Sequence, residues 1–260
     1  MLLASIDGDI GPVEDARISV TDEGLLRGDG AFEVARLYAG RPFAMPEHLD
    51  RLARTSAGLR LELDRDTLVA ELDALLEATG EVDGLLRVVL TRGGRRIALI
   101  EPLPEYEPTA RVATITYSPN RVLDGLKTLS YAGNMLAGRI AREQGFDEAL
   151  LVTPHGRVLE GPTWSLFWVR GDRVLTPPLS DRILASITRH YVIEVCEAEE
   201  RVCTLEDLRA ADEAFIASTV REVLPIAAID DMELPQAPGP VTTAARGRLR
   251  QRIEAALAVS

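Results

Sequence analysis

Lysine is almost missing from this 260-residue chain: of 29 basic residues, only Lys127 is a lysine and the other 28 are arginines. Arginine can replace lysine wherever a surface needs solvation or a salt bridge, but a guanidinium stays protonated and cannot act as an amine. An ε-amino group can be desolvated, lose its proton and condense with a carbonyl. The solitary lysine therefore marks either a position where amine chemistry is required or one surface lysine that escaped replacement.

Other absences narrow the function classes. Cysteine occurs twice, at Cys196 and Cys203, without CxxC spacing, so neither a disulfide framework nor a zinc site is indicated. Two reduced thiols fit a cytoplasmic protein. No apolar run approaches the roughly 18 residues of a membrane span, and the opening MLLASIDGDIG lacks the basic start of a secretory signal. No basic block stands out against a net charge of −12, so nucleic acid and anionic membranes are not expected partners. There is no GxGxxG fingerprint, P-loop, internal repeat or low-complexity tract.

What is present reads as mixed α and β without regular alternation. In the segment 31–38, AFEVARLY, Phe32, Val34, Arg36 and Tyr38 alternate with Ala31, Glu33, Ala35 and Leu37, predicting a strand with one face free to line a pocket. Pro46 and the stripe of Leu49, Leu52 and Leu59 predict a helix, with Arg51 beside the stripe. A second helix is expected over 66–79, then strands at 84–92, 96–101 and 111–117, the first two joined by a turn at Gly93-Gly94. The turn formers of 118–125 suggest a boundary, giving an N-terminal α/β domain at 1–118, a linker at 119–125 and a larger domain at 126–260. In the second part, helices are expected near 131–144, 187–199 and 240–257, and strands near 147–153, 157–160, 165–170, 173–176, 213–218 and 223–229.

Six segments, in order along the chain, then carry a resemblance: GDGAFEVAR (28–36), EHLDRL (47–52), GLKTLSYAGNMLAGRIAREQGFDEALLV (125–152), GRVLEGPTWSLFWV (156–169), TPPLSDRILASITR (176–189) and ADEAFIASTVREVLPI (211–226). The chain resembles the class IV aminotransferases, the fold type IV family of enzymes dependent on pyridoxal 5′-phosphate (PLP). That family includes D-amino-acid and branched-chain aminotransferases, (R)-selective amine transaminases and 4-amino-4-deoxychorismate lyase. The resemblance implies two α/β domains of the D-amino-acid aminotransferase kind with PLP in the cleft between them, in a homodimer.

By the same resemblance Lys127 is the Schiff-base lysine and the proton shuttle, a double role that needs an amine of lowered pKa. Glu160 corresponds to the carboxylate that keeps the pyridine nitrogen protonated; without the motif it would read as a solvated strand-end glutamate. The phosphate would be held by Arg51, by the backbone of Ile187 and Thr188 after Ser186 at a helix start, and by Ser218 and Thr219. Arg51 alone would read as a surface helix charge. Tyr131, one turn beyond Lys127, is a candidate partner for the cofactor ring hydroxyl. The usual Asn of the family is Ser165 here and the usual Gly is Ser186, which touches details of the cradle. His48 matches a family histidine and reads as a packing residue, and His155 and His190 carry no signal.

For a substrate carboxylate the candidates are Arg36 beside Phe32 and Val34, Arg27 before GDG, and Arg92, Arg95 and Arg96 around the hairpin turn. D-amino-acid aminotransferases carry an arginine trap on the corresponding hairpin, which favours Arg95 or Arg96; each of these also reads as a solvated turn or edge charge. An amino group moved from an amino acid or primary amine to a 2-oxo acid is the leading expectation. The alternatives are the lyase reaction, in which pyruvate leaves and the ring aromatises, and a PLP carrier without turnover. Glu33 after Phe32 favours the transaminase; the short chain and the spacing from Lys127 to DEAL favour the lyase.

Overall fold

The structure, a computed structural model, describes residues 2–259. The chain forms two compact units: one is the chain up to Pro104 together with Leu126–Tyr131, the other Glu105–Gly125 together with Ala132–Val259. This differs from a boundary at 118 followed by a linker at 119–125. The strand at Ala110–Thr116, expected in the first domain, pairs in parallel with Glu148–Val152 and Glu222–Ile229. Residues 126–131 return to the first unit, where Ala31 and Thr128 form an antiparallel bridge.

The first unit is built from β1 (Leu3–Ile6), β2 (Asp9–Pro12), α1 (Glu23–Arg27), β3 (Gly30–Tyr38), β4 (Arg41–Pro42), α2 (Met45–Leu59), α3 (Arg65–Thr79), β5 (Gly84–Thr91) and β6 (Arg96–Pro102). Its antiparallel sheet has the order β2-β1-β6-β5-β3-β4. One face holds Ala31, Leu37, Leu86, Val88, Leu90 and Ile100, and it packs with Leu49 and Leu52 of α2 and Leu68, Leu72 and Leu75 of α3. Period-2 strands against 3.6-period helices give a two-layer core. The opposite face of β3 carries Phe32, Val34 and Arg36, in register with Val89, Arg87 and Leu85 of β5.

Local chemistry sets the helix ends. Asp64 accepts from the N–H of Thr67 at 3.1 Å and starts α3, and Arg60 closes α2 in the left-handed region. The β1–β2 hairpin, which the sequence reading passed over, turns on Asp7 and Gly8, both at positive φ, a pairing typical of tight hairpins.

The second unit adds β7 (Ala110–Thr116), α4 (Ala132–Glu143), β8 (Glu148–Val152), β9 (Arg157–Val158), β10 (Ser165–Arg170), β11 (Arg173–Thr176), α5 (Ile187–Cys196), β12 (Glu199–Glu200), β13 (Cys203–Thr204), α6 (Leu205–Arg209), β14 (Glu213–Ser218), β15 (Glu222–Ile229), β16 (Met232–Glu233) and α7 (Pro240–Val259). Its strands run β12-β11-β10-β14-β15-β7-β8-β9-β13, with β16 on β15. Trp164, Leu166, Trp168, Leu150 and Ile216 fill one core, while Ala137 and Ala141 of α4 pack with Ala113 and Ala149 in another. The strand expected at 157–160 is regular only over Arg157–Val158, yet Leu159 and Glu160 stay against β8: the N–H of Leu159 donates to the Leu151 carbonyl, and the Glu160 carbonyl accepts the Leu151 N–H, both at 2.9 Å. The helix expected over 187–199 ends at Cys196, where Glu197 turns into the left-handed region. Among the described residues no helix is long and apolar enough to cross a membrane.

Candidate active site

In the first unit the site is built around the return of residues 126–131 to β3. The N–H of Phe32 donates to the Lys127 carbonyl at 3.1 Å, and the N–H of Leu129 donates to the Gly30 carbonyl at 2.8 Å. Only glycine permits this approach: a Cβ on Gly30 would lie 2.4 Å from the Leu90 carbonyl oxygen and 2.6 Å from Leu129 Cδ1. Thr55 of α2 accepts from the Lys127 N–H at 3.2 Å. The half-buried lysine thus has its backbone fixed, and its Nζ stands 4.4 Å from the centre of the Phe32 ring. Tyr131 meets the same ring edge-on, 5.4 Å between centroids.

Arg36 and Arg87 share this face. Arg36 lies over Tyr38 with Cζ 4.7 Å from the ring centre, and Arg87 is directly opposite Val34 with Cζ 5.9 Å from the Phe32 ring centre. Arg87 is paired with Glu101 at 2.9 Å, both side chains about one-third exposed. Sequence reasoning passed over Arg87, although a lone charge in the apolar run GLLRVVLT was a readable signal.

The opposite face of β3 holds a buried charged group. Arg51 donates to both oxygens of Glu33 at 2.7 Å, through Nε and Nη2, and His48 Nδ1 lies 2.8 Å from Glu33 Oε2. Burial pushes the Glu33 carboxyl up, but Arg51 and then His48 outweigh it and hold it at about 2. Burial pulls His48 below its ordinary value, against the pull of Glu33, with the Arg51 and Lys127 charges adding to the lowering. Arg51, expected toward a phosphate, is therefore fully buried with two of its nitrogens on Glu33.

The hairpin arginines are each tied to structural partners. Arg92 bonds Asp29 at 2.9 Å and the carbonyls of Leu59 and Arg60 at the end of α2, as the negative end of a helix favours. Arg95 pairs with Asp7 at 2.6 Å. Arg96 is opposite the core-facing Leu90 and bonds Glu71 of α3 at 2.7 and 2.9 Å, so its side chain is on the helix side of the sheet and away from Lys127. Arg27 is exposed and pairs with Glu23 within α1. Of the five arginines expected as carboxylate partners, the structure brings only Arg36 to the face that Lys127 shares.

In the second unit, Glu160 accepts the N–H of Leu184 at 2.8 Å. Burial pushes the Tyr117 hydroxyl up, and the Glu160 charge adds to it. Ser186 caps α5 by accepting the N–H of Arg189 at 3.3 Å, so the N–H groups of Ile187 and Thr188 belong to the free first turn. Thr188 Oγ1 lies 3.5 Å from Thr219 Oγ1, joining that turn to the one at 218–221. Ser218 Oγ accepts the N–H of Arg221 at 3.1 Å. The buried Ser165, where the family has Asn, is on β10 opposite Ala217.

The first unit thus offers a half-buried amine with a fixed backbone, chemistry that suits an aldehyde; the second offers a carboxylate and a capped helix start beside two hydroxyls, which suit a ring nitrogen and a phosphate. Comparison with known proteins agrees. The profile of the Amino-transferase class IV family matches residues 30–229, and the chain belongs to that family of PLP-dependent enzymes. A protein of Methanocaldococcus jannaschii, provisionally named a branched-chain-amino-acid aminotransferase, is 34% identical over 84% of both chains. The D-alanine aminotransferase of Bacillus licheniformis is 31% identical over 92% of this chain and 93% of its own. The aminodeoxychorismate lyase of Bacillus subtilis is 30% identical, covering 89% and 88%. The fold type IV architecture is shared with the branched-chain aminotransferase of Thermoproteus uzoniensis in complex with norvaline, at a TM-score of 0.89 and 28% identity over 98% of this chain and 95% of that one.

Proposed function

We propose that the chain transfers an amino group between an amino acid or primary amine and a 2-oxo acid. One observation carries the reading: the only lysine of the chain is fixed by its backbone against β3, with its amine on the open face beside Phe32. When bound, PLP supplies the aldehyde that captures the amine and the ring that accepts the electrons of the donor carbon. Lys127 would hold the cofactor, and its Nζ would move the proton at the donor carbon. Glu160 would hold the ring nitrogen and favour its protonated form. The N–H groups of Ile187 and Thr188, with the hydroxyls of Ser218 and Thr219, bind the phosphate. Arg51 stiffens β3 beside Lys127 through Glu33, and Tyr131 orients the ring.

Arg36 and Arg87 are the substrate carboxylate partners, with Phe32 and Val34 as the apolar wall. Arg87 exchanges Glu101 for the substrate carboxylate. Arg92, Arg95, Arg96 and Arg27 hold the hairpin and α1. The test adds D-alanine, L-leucine and (R)-phenylethylamine separately to the protein while its visible absorbance is followed. Conversion of the cofactor band to the amine form by one donor supports the transfer and gives its chirality class. A band that no donor discharges favours the lyase, the second reading, which the Bacillus subtilis relative supports.

Two further assignments belong to this reading. The chain works as a homodimer: Val20, Leu25 and Leu26 in the segment before β3 are 76%, 57% and 60% exposed, apolar side chains that a second copy would cover. Sedimentation at a dimer mass checks it, and a monomer at working concentration contradicts it. A cytoplasmic site fits Cys196 and Cys203, both free thiols.

A further inference from the structure

We propose that Arg221 is a positioning residue for the cofactor phosphate, acting through a buried clamp that fixes the turn at 218–221. This rests on the reading of Ser218 and Thr219 as phosphate ligands.

Arg221 follows those two residues in the connection from β14 to β15. Its side chain is only 7% exposed and forms an ion pair with Glu148, itself 14% exposed, at the start of β8. The same guanidinium reaches Thr163 Oγ1 at 3.4 Å and lies beneath the Tyr106 ring, 4.4 Å from its centre. Glu148 also accepts the indole N–H of Trp164 at 3.1 Å. Trp164 in turn packs on the turn that follows Glu160: a Cβ on Gly161 would lie 2.0 Å from the indole, and the Gly161 N–H donates to the Trp164 carbonyl at 2.8 Å.

Glu148 thus joins two turns. Trp164 ties it to the turn after Glu160, and Arg221 ties it to the turn of Ser218 and Thr219. At the Arg221 end the backbone is engaged as well, because its N–H donates to Ser218 Oγ and leaves the serine O–H to donate elsewhere. A guanidinium almost out of water, paired through Nη2 with a carboxylate on a strand, holds a turn more tightly than the turn's own hydrogen bonds. Arg221 touches neither reactant nor amine in this scheme; it acts by keeping the 218–221 turn in place.

The two arms of the clamp should separate by ligand. PLP and pyridoxal share the ring and the aldehyde, and only PLP has the phosphate. The full chain is titrated with each by absorbance. Arg221→Ala is expected to weaken PLP about 10- to 100-fold, the effect of losing one or two hydrogen bonds to a charged group, and to leave pyridoxal within about threefold, since the Trp164–Glu148 bond still holds the Glu160 turn. Arg221→Lys, which keeps the charge but not the planar group that also reaches Thr163 and Tyr106, is expected to show the same selective loss at smaller size, and it decides the question if Arg221→Ala does not fold. Trp164→Phe is expected to weaken both ligands together.

Equal weakening of PLP and pyridoxal by the Arg221 variants, or no weakening of either in folded protein, overturns the role of Arg221. A wild-type protein that holds PLP no better than pyridoxal overturns instead the reading of this turn as the phosphate site.

Discussion

On one face of β3, Glu33 lies buried between Arg51 and His48; on the other, one residue earlier, Phe32 lies under the Lys127 amine with Arg36 and Arg87 alongside. The carboxylate on the closed face is matched by hydrogen bonds to Arg51 and His48, and the arrangement stiffens α2 against the sheet. The open face holds cations that are half-buried or paired at the rim with Glu101, where an incoming carboxylate can compete. The difference within the first unit lies in what packs on each face: helices α2 and α3 over the Glu33 face, and the 126–131 segment beside Phe32.

The largest effect should come from the open face. Lys127→Ala is expected to lower turnover by roughly 10²- to 10⁴-fold or more, as loss of an acid–base group does, with little change in thermal stability. Near-normal turnover would remove the distinction between the faces altogether. Next in size is the closed face. Glu33→Gln leaves Arg51 and His48 without their anion and is expected to destabilise the protein by about 3–5 kcal/mol in a denaturant titration. A loss below about 1 kcal/mol, the scale of an exposed pair, would show that the group is more solvated than its burial indicates.

Acid sharpens the same contrast. Glu33 has its folded pKa depressed to about 2, so its contribution to stability is present above the ordinary carboxylate range and is lost as pH falls toward 2. The stability gap between the wild type and Glu33→Gln should therefore narrow steadily between about pH 5 and pH 2; a gap constant with pH would contradict the assignment.

Smaller still is the split among the arginines. Arg87→Leu should raise KM for the oxo acid about 10-fold or more, as expected for a lost charge-assisted hydrogen bond, with a smaller effect on kcat. Arg96→Leu should leave KM unchanged and cost only about 1 kcal/mol of stability. The reverse ordering would return the carboxylate site to the hairpin.

The parts legible in the sequence were those that short-range pattern determines. Alternation over 31–38 placed Phe32, Val34 and Arg36 on one face, the scarcity of lysine singled out Lys127, and the turn at Gly93-Gly94 is where the β5–β6 hairpin bends. What was not legible depends on pairing between distant segments. Arg87 joins the open face and Arg96 leaves it because the β3–β5–β6 register assigns their sides, and the hairpin sequence alone does not state that register. The boundary was set by turn formers at 118–125, whereas the 110–116 strand follows parallel partners far along the chain. In the sequence Glu33 marks only a subgroup; its place as the anion of a buried network depends on His48 and Arg51, which reach it from a separate helix.

The most direct test of the account is borohydride reduction of the purified holoprotein, followed by peptide mass mapping. One phosphopyridoxyl adduct per chain is expected, on the peptide that contains Lys127 and absent from Lys127→Arg protein. A reduced protein that keeps Lys127 unmodified while the cofactor is bound elsewhere, or not at all, would contradict it.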